Sequence, residues 1–468
     1  MKTRNEQFMM VVAALVVLMV VAGAGFQFVT DRHRSAAVER FKKPAGIERY
    51  KKAHEARDRK PAAPPDQAGQ QPSKETAPVA IDPEENVKAF QAAVAQSKAL
   101  REGVRGKEFQ DLFDMKLPNG GTEEEWARAK ATLDEARGLI QEIRRLAKAG
   151  GPVSALDFSK GYWMDLSHLA QLREFARLLS ADAYLWAHEE NYGEAIEDIL
   201  AGMQLSSALC DEPILISQLV RIAMNNIMYD AAQQALPTEN LPPDLARRLI
   251  DYAARNDGRA SFSESFQVEG FFGIDAFGQV REGTMDPGVF HGVFESSSWM
   301  DNLLLQAYGS TLAQPWLNMD EETYADIIGR VADLMQRPYY EARPLLAEVE
   351  QEIGNLPITR VFSRIMLPAL TRANEAQASN EARLDLMQIG LSLEQYRART
   401  GALPDTLAPI ASELGGTVPV DPFTGTPYVY RPSGGGFLLY SVGRNQTDDG
   451  GRQESRTGDI VWRGQKEP

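Results

Sequence analysis

The sequence predicts a mainly α-helical protein with an N-terminal transmembrane helix, a body that is a helical bundle or irregular α-solenoid, and a small C-terminal α+β domain. Three observations predict this fold class. Residues 8–26 form an uncharged apolar run, apolar residues between 82 and 379 recur at helical spacing, and short aromatic runs separated by glycine-rich turns follow residue 380. The C-terminal domain is expected to contain one helix and a three-stranded antiparallel sheet.

Length and composition exclude several classes of protein. The chain has 468 residues, of which 43% are hydrophobic and 25% are charged. This length predicts more than one domain, and this balance excludes a collagen-like, fully disordered or multi-span membrane chain. Cys210 is the single cysteine, so the chain forms no intramolecular disulfide and no cysteine-based zinc cage.

The charge is divided unequally along the chain. Residues 1–60 hold 13 of the 50 basic residues and 6 of the 65 acidic residues, which gives them a net charge of +7. The other residues carry −22, and the two parts add up to the formal total of −15. Duplex nucleic acid needs a concentrated basic surface, so an acidic body of this kind predicts no nucleic-acid partner.

Residues 1–30 are predicted to be a transmembrane anchor. The run from 8 to 26 contains 19 apolar or glycine residues, and a helix of that length spans about 28 Å, close to the hydrocarbon thickness of about 30 Å. A cleaved signal peptide is the alternative, with Ala-Gly-Ala at 22–24 as its cleavage site. Its apolar region would be shorter, about 7–15 residues.

The charges that flank this run bear on membrane orientation. Two basic residues, Lys2 and Arg4, precede it, whereas Arg32, Arg34 and three more basic residues up to position 43 follow it. By the positive-inside rule this distribution favours a cytoplasmic body.

Two segments separate the anchor from the helical body. Residues 31–60 are predicted to be a basic juxtamembrane helix interrupted near Pro44, which is either solvated or in contact with anionic head groups. Residues 61–81 form a linker rich in Pro, Ala and Gln, which cannot bury enough surface to fold and is predicted to be a semi-extended tether.

Residues 82–379 are predicted to be a helical domain. One helix is expected from Glu123 to Lys148, and another carries apolar residues at spacings of three and four from Leu169 to Trp186. The sequence Asn-Tyr-Gly-Glu-Ala-Ile at 191–196 resembles the turn of a tetratricopeptide-type hairpin, although no 34-residue period repeats. Residues 283–318 break the pattern and are predicted to be a partly ordered loop.

Residues 380–468 are predicted to be the α+β domain. An amphipathic helix reaches Thr400, and a short helix is expected after residue 407. Residues 428–430 and 437–440 then read as a hairpin, with 459–462 as a third strand.

These C-terminal residues resemble the C-terminal domain of the major pseudopilin of type II secretion systems. The resemblance rests on Gly-Ala-Leu-Pro at 401–404, the turn-rich segment 421–430, Tyr-Ser-Val-Gly at 440–443 and Asp-Ile-Val-Trp at 459–462. The chain departs from the family at its N-terminus, where no glycine precedes the apolar run as a prepilin peptidase site requires. The family's apolar helix also continues directly into the globular domain, whereas here about 350 residues separate the two.

The resemblance implies a calcium loop. Its ligands would be the carbonyl of Val442 and the side chains of Asn445, Asp448, Asp449 and Asp459. Calcium takes six to eight oxygen ligands, which carboxylates and carbonyls in a glycine-flanked loop can supply. Asn445 stands where the family has an aspartate and Arg444 adds a positive charge, so a plain solvated loop is the alternative.

The motifs of catalysis are missing from the sequence. His188-Glu189 begins like a zinc-protease helix but lacks the second histidine, and residues 103–108 lack the pattern of a phosphate-binding loop. We therefore expect a non-enzymatic, single-pass inner-membrane scaffold that binds the lipid bilayer and an unidentified protein. The alternatives are an accessory pseudopilin of a type II secretion-like system, or an enzyme with an unrecognised site in the helical body. The family resemblance favours an extracytoplasmic body, against the flanking charges.

Overall fold

The computed structural model describes residues 36–57, 83–114, 117, 121–237, 241–255, 258–285, 310, 313–433, 436–452 and 458–463. The predicted anchor 1–30, the linker 61–81 and most of the loop 283–318 therefore lie outside the described residues. Within the described residues, no helix has both the length and the apolarity to cross a membrane.

The described chain is mainly helical and carries one three-stranded antiparallel sheet, as the sequence predicts. The α-helices are α1 Ala36–Arg40, α2 Ala45–Arg57, α3 Pro83–Glu102, α4 Gly106–Asp111, α5 Glu123–Glu135, α6 Arg137–Ala149, α7 Ser167–His188, α8 Tyr192–Ser207, α9 Leu215–Ala235, α10 Pro243–Arg255, α11 Arg259–Arg281, α12 Gln314–Leu334, α13 Tyr339–Gly354, α14 Val361–Thr371 and α15 Ala373–Thr400. The 3₁₀ helices are Leu112–Asp114, Phe158–Trp163, Ala208–Asp211 and Ala408–Leu414. The strands are β1 Val429–Ser433, β2 Gly436–Ser441 and β3 Ile460–Arg463.

The chain divides into two compact units that are discontinuous in sequence. The first unit contains the described residues of Met1–Glu48, Phe158–Met164 and Ser263–Asn374. The second contains those of Arg49–Asp157, Asp165–Phe262 and Glu375–Pro468. The C-terminal segment thus belongs to the same unit as most of the helical body.

In the first unit, α1 and the start of α2 pack as part of the core. Val38 and Phe41 are buried, and α1 lies against α12. The Phe41 ring occupies the space that a Cβ on Gly270 would fill, so only glycine allows this approach. Arg40 donates to Asp333 on α12 at 2.6 and 3.0 Å. The sequence interpretation of this segment as solvated or lipid-facing is therefore wrong for its apolar side chains, which face the protein.

The rest of the first unit is built on α11, α12, α13 and α14. Phe277 of α11 contacts Tyr324 and Phe362 with ring centroids 5.8 and 5.0 Å apart. The buried carboxylate of Asp320 accepts hydrogen bonds from the backbone N–H groups of Phe362 and Ser363 at 2.8 and 3.2 Å. These are unpaired donors of the first turn of α14, so Asp320 caps that helix from α12.

The second unit begins with helices whose ends follow local signals. Thr122 and Glu125 form a capping box at the start of α5. The predicted helix 123–148 is two helices, because the chain departs from helical geometry at Ala136, between α5 and α6. Helix α3 packs against α6, and α6 in turn packs against α8.

The consecutive helices α7 and α8 are joined by a short turn and pack closely against each other. Leu172, Ala176, Leu179 and Ala183 are all fully buried along one stripe of α7. The turn places Glu190 at a φ of 59°, and the Asn191 side chain accepts a hydrogen bond from the backbone of Glu194. Helix α9 packs against both members of the pair, so α7, α8 and α9 form the central bundle of this unit.

Helix α15 carries the sheet. It ends at Thr400 as predicted but begins at Ala373, so the predicted boundary between residues 379 and 380 falls inside a continuous helix. The strand order is β1-β2-β3, with Leu439 of the central strand paired to Tyr430 and Trp462. The three strands lie within a few residues of their predicted positions. A further difference concerns the predicted loop 283–318, because its last residues belong to α12, which begins at Gln314.

Trp462 joins the sheet to two helices. Its indole lies where a Cβ on Gly390 of α15 would stand, so the glycine permits close packing. Tyr229 of α9 packs on the same indole with centroids 5.4 Å apart, and its hydroxyl donates to the carbonyl of Val461 at 3.1 Å. The sheet is therefore anchored on the helical body as well as on α15.

Candidate functional site

The predicted calcium loop follows β2 and returns to β3. Asp459, at the entrance of β3, is buried and accepts hydrogen bonds from the backbone of Gly451 at 2.7 Å and of Asp449 at 3.5 Å. Burial raises the pKa of the Asp459 carboxyl, and the nearby carboxylates of Asp449 and Asp448 raise it further. Asp459 is thus held by the backbone of its own loop and has Asp448 and Asp449 as acidic neighbours.

Asp448 is held by side chains of the sheet. Tyr440 donates to it at 2.6 Å, the backbone of Gly450 at 2.9 Å, and Arg431 at 3.1 Å. These contacts, led by the Tyr440 hydrogen bond, lower the pKa of Asp448. Both of its oxygens therefore already accept hydrogen bonds.

The side chains of the other two predicted ligands, Asn445 and Asp449, also have internal partners. The Asn445 amide donates to Asp449 at 2.8 Å, and the Asn445 oxygen accepts from the backbone of Thr447 at 2.9 Å. The backbone N–H of Val442 donates to Asp421 at 3.1 Å. Within the described residues, no three His, Cys, Asp or Glu side chains converge as metal ligands do. A calcium ion on Asp448 would have to displace Arg431, and the calcium site stays a prediction.

Asp421 is a carboxylate of this region that sequence reasoning assigned only to a turn. It is buried and also accepts from the backbone of Phe423 at 2.9 Å. Burial is the main cause of its raised pKa, and the Asp459 carboxylate adds to it. Asp421 thus holds the 421–427 turn to the end of β2 and has a structural role.

A second cluster of charges lies in the helical bundle of the second unit. Asp182 of α7 and Asp198 of α8 are both fully buried. Arg144 donates to Asp198 at 2.7 Å and to Glu194 at 2.5 Å, and Arg137 donates to Asp182 at 2.6 Å. Two guanidinium groups thus compensate two buried carboxylates.

The two carboxylates also interact with each other. Burial raises the pKa of Asp198 well above its ordinary value, and the Asp182 carboxylate contributes to the increase. One oxygen of each, Asp182 Oδ1 and Asp198 Oδ2, has no hydrogen-bond partner among the described residues. Since both are sealed from solvent, this pair is a structural feature of the bundle.

A buried His–Glu–Ser contact lies at the start of α7 and α9. His168 Nε2 lies 3.0 and 3.2 Å from the two oxygens of Glu212, and the Ser217 hydroxyl donates to the same carboxylate at 2.6 Å. A nucleophilic serine needs its hydroxyl bonded to the histidine, with the acid behind the imidazole. Here the carboxylate lies between the two, so the histidine cannot take the serine proton.

The polar contacts continue from this site to α15. Gln218 donates to the carbonyl oxygens of Leu209 and Glu212 at 2.7 and 2.8 Å and accepts from Arg221 at 2.9 Å. Arg221 is almost fully buried and also donates to Gln377 at 3.0 Å. This network bonds α9 to the first turns of α15.

His188 and Glu189, which resemble the start of a zinc-protease helix, have other contacts. The His188 ring stacks on Trp126 at 4.2 Å with the planes 3° apart. Glu189 accepts from Lys130 at 2.8 Å. These residues link α7 to α5.

Glu269 is a buried acid of the first unit, and its pKa lies near neutrality. Tyr162 donates to its carboxylate at 3.1 Å, and Tyr324 donates to its backbone carbonyl at 3.3 Å. Burial raises the pKa of Glu269 to about 7. Its titration therefore falls in the physiological range, although no motif in the sequence predicts it.

The second unit carries an open groove of about 490 Å³. The 3₁₀ turn Leu112–Asp114, the first half of α7 and the start of α9 form it. Its apolar lining includes Phe113, Leu166, Leu169, Ile216 and Val220. Binding pockets in proteins commonly measure about 300–1,000 Å³.

Charged side chains line the same groove. Arg173 and Arg177 are exposed and one helical turn apart on α7, so they lie on one face. Glu174 is paired with Arg101 at 3.2 Å and accepts from Ser97. The sequence shows the two arginines, but not the apolar wall beside them, because that wall comes from three separate segments.

A comparison with protein families, curated proteins and solved structures finds no match to this chain.

Proposed function

We propose that the protein is a single-pass, membrane-anchored scaffold for protein–protein interaction, which holds a pseudopilin-like C-terminal module in a fixed position. The observation that carries this proposal is the course of α15. One continuous helix is bonded to the helical body at its start and carries the sheet farther along. The module therefore cannot move independently of the body.

The bonds at the start of α15 are buried and specific. Gln377 accepts from Arg221 at 3.0 Å, Asn380 accepts from Asn225 at 3.1 Å, and Glu381 pairs with Arg259. Leaving any one of these groups buried without its partner costs about 1–3 kcal/mol. A rigid connection of this kind suits a protein that presents a surface.

The position of the first packed helix supports a body held close to the membrane. If residues 8–26 span the bilayer, only residues 27–35 separate the span from α1. A nine-residue segment extends at most about 32 Å. The predicted linker 61–81 has packed residues on both sides: Tyr50 before it donates to the carbonyl of Ser154, and Asn86 after it donates to that of Pro152. That segment connects two packed helices of the second unit.

We place the body outside the cytoplasm, in the orientation that the pseudopilin resemblance implies. Calcium is available in that compartment, and the loop with Asp448, Asp449 and Asp459 would be exposed to it. The basic residues after the span favour the opposite orientation. Membrane topology is therefore the measurement on which this part of the proposal depends.

An accessory pseudopilin is a second candidate, favoured by the packing of one helix on a three-stranded antiparallel sheet. In pseudopilins, however, that helix begins in the membrane. Here α15 begins at Ala373 inside the folded body. The scaffold explains this arrangement better.

Fusions of alkaline phosphatase and of a fluorescent protein to the C-terminus test the proposal. We expect both fusions in the membrane fraction, with an active phosphatase and a dark fluorescent protein. An inactive phosphatase with bright fluorescence would place the body in the cytoplasm. Mass spectrometry of the mature N-terminus separates the two candidates, because removal of residues before the apolar run by a prepilin peptidase would favour the pseudopilin.

A further inference from the structure

The groove on the second unit combines apolar and cationic surface. Ile216 is 45% exposed there, beside Leu169 and Val220. An exposed isoleucine next to an apolar depression leaves surface that an apolar side chain of a ligand can cover.

The charges of the groove give it a positive character. Arg173 and Arg177 have no ion-pair partner in the part of the chain that the structure describes, and Arg101 neutralises Glu174 between them. The whole chain carries a net charge of −15, so an unopposed pair of arginines on one helical face is a local exception. Guanidinium groups bind carboxylates in bidentate geometry.

We propose that this groove binds an acidic segment of a partner protein that also carries aliphatic side chains. Two carboxylates of the segment pair with Arg173 and Arg177. Its aliphatic side chains cover Ile216 and Val220. The proposal gives a location and a chemical class to the partner that a scaffold requires, and in that respect rests on the proposed function.

Other occupants fit the groove less well. A nucleic acid would meet the repulsion of the acidic body, and its phosphates offer no aliphatic groups for the apolar wall. A small anion would pair with the arginines but leave Ile216 exposed. An acidic, leucine-containing peptide satisfies both halves of the groove.

Fluorescence anisotropy with the full-length protein in detergent micelles tests this proposal. The probe is a labelled synthetic peptide that repeats glutamate and leucine, and its control has glutamine in place of each glutamate. We expect saturable binding of the glutamate peptide, weakened by added salt, and no binding of the glutamine peptide. The double variant R173E/R177E should weaken binding by about tenfold or more.

Two matched controls separate the groove from general effects. The variant R128E/R255E makes the same change of charge at exposed arginines outside the groove, and it should bind the peptide as the wild type does. Ile216→Ser should weaken binding, whereas Val104→Ser, at a fully exposed valine outside the groove, should not. Circular dichroism melts of all four variants check that each one folds.

Several results would overturn the proposal. One is equal binding by wild type and R173E/R177E, or equal affinity for the glutamate and glutamine peptides. Competition by phosphatidylglycerol vesicles, but not by excess unlabelled peptide, would identify a lipid surface as the occupant. Self-association abolished by R173E/R177E would identify a second copy of this chain. None of these results depends on membrane orientation, so the scaffold proposal and this one fail separately.

Discussion

Arg144 shows at the scale of one residue how the second unit tolerates buried charge. Its guanidinium bonds to Asp198 at 2.7 Å and to Glu194 at 2.5 Å, and it lies 3.9 Å from Asp182. Removing one partner of a buried ion pair costs about 3–5 kcal/mol, because it leaves an uncompensated charge. We therefore expect Arg144→Ala to lower the free energy of unfolding by that amount in a urea titration.

The neighbouring Arg145→Ala is the matched control for this substitution. Arg145 makes an exposed (i,i+3) ion pair with Glu142 at 2.7 Å, and such pairs contribute about 0–1 kcal/mol. Equal effects of the two substitutions would show that the Asp182–Asp198 pair does not need Arg144.

Glu269 predicts a dependence of stability on pH. Burial raises its pKa from 4.5 to about 7, so the folded protein binds the proton more tightly than the unfolded chain. This contribution is fully present below pH 4.5 and is lost as the pH rises through about 7. Its size is on the order of 3 kcal/mol. Asp320, with a pKa raised by burial to about 6, acts in the same direction at lower pH.

Thermal melts between about pH 7 and 8.5 test this prediction, because Asp320, with a pKa of about 6, is mostly ionised over that range. The melting temperature of the wild type should fall as the pH rises. Glu269→Gln keeps a neutral acceptor for the Tyr162 hydroxyl and should flatten that dependence. A Glu269→Gln variant with the slope of the wild type would assign the titration to another group.

At the scale of elements, the packing of α15 against β3 depends on one small residue. Any side chain at position 390 would overlap the indole of Trp462. We expect Gly390→Val to displace β3 and to make the C-terminal segment more sensitive to limited proteolysis, with a loss of stability of about 1–3 kcal/mol. Gly278→Val on α11 is the control, because a Cβ there meets no other atom within 4 Å. Similar proteolysis of both variants would contradict this role of Gly390.

The calcium loop permits a test in which one arginine is removed. Arg431 pairs with Asp448 at 3.1 Å, so Arg431→Ala frees one carboxylate oxygen, Oδ2, that calcium could use. If the loop binds calcium, millimolar Ca²⁺ should raise the melting temperature of Arg431→Ala more than that of the wild type, and Mg²⁺ should have a smaller effect. Unchanged melting temperatures in both proteins would favour the plain hydrogen-bonded loop.

The elements that sequence predicted well are those whose apolar period is unbroken. The apolar stripe from Leu169 to Ala183 predicts α7, and the aromatic runs at 428–430 and 437–440 predict the β1–β2 hairpin. In both cases the burial of one face imposes the apolar period that the sequence shows. The start of α15 was missed for a physical reason. Gln377, Asn380 and Glu381 read as a polar surface, but they are buried and bonded to distant residues.

The candidate site, too, is predictable from the sequence only in part. The acidic character of 448–459 is visible in the sequence, because turn residues lie next to one another. The ion pair between Arg431 and Asp448 cannot be read from the sequence, since it depends on the pairing of β1 with β2. The groove was not predictable, because its wall is assembled from residues near 113, 169 and 216.

At the scale of the whole molecule, the first helices that the structure describes, from residue 36 onward, are packed parts of the fold. Phe41 and Tyr50 are buried within it, and Tyr50 accepts a hydrogen bond from the backbone of Leu156 at 3.2 Å. The basic segment after the apolar run is thus part of the fold, although its composition predicted a solvated or lipid-facing helix. This difference can be tested by truncation.

A chain that begins at residue 35 retains α1 and α2, whereas a chain that begins at residue 58 lacks both. We expect the first chain to be soluble and to unfold in urea with the stability of the full protein. The second loses the buried side chains of Val38, Phe41, Ile47 and Tyr50. Removing even one buried aromatic side chain costs about 3–5 kcal/mol, so the second chain should be destabilised by more than that or should aggregate.

The substitution Phe41→Ala in the longer chain tests the same packing with a smaller change. Its control is Lys43→Ala, because Lys43 is exposed. Equal stability of the two truncated chains would mean that the body begins after residue 57.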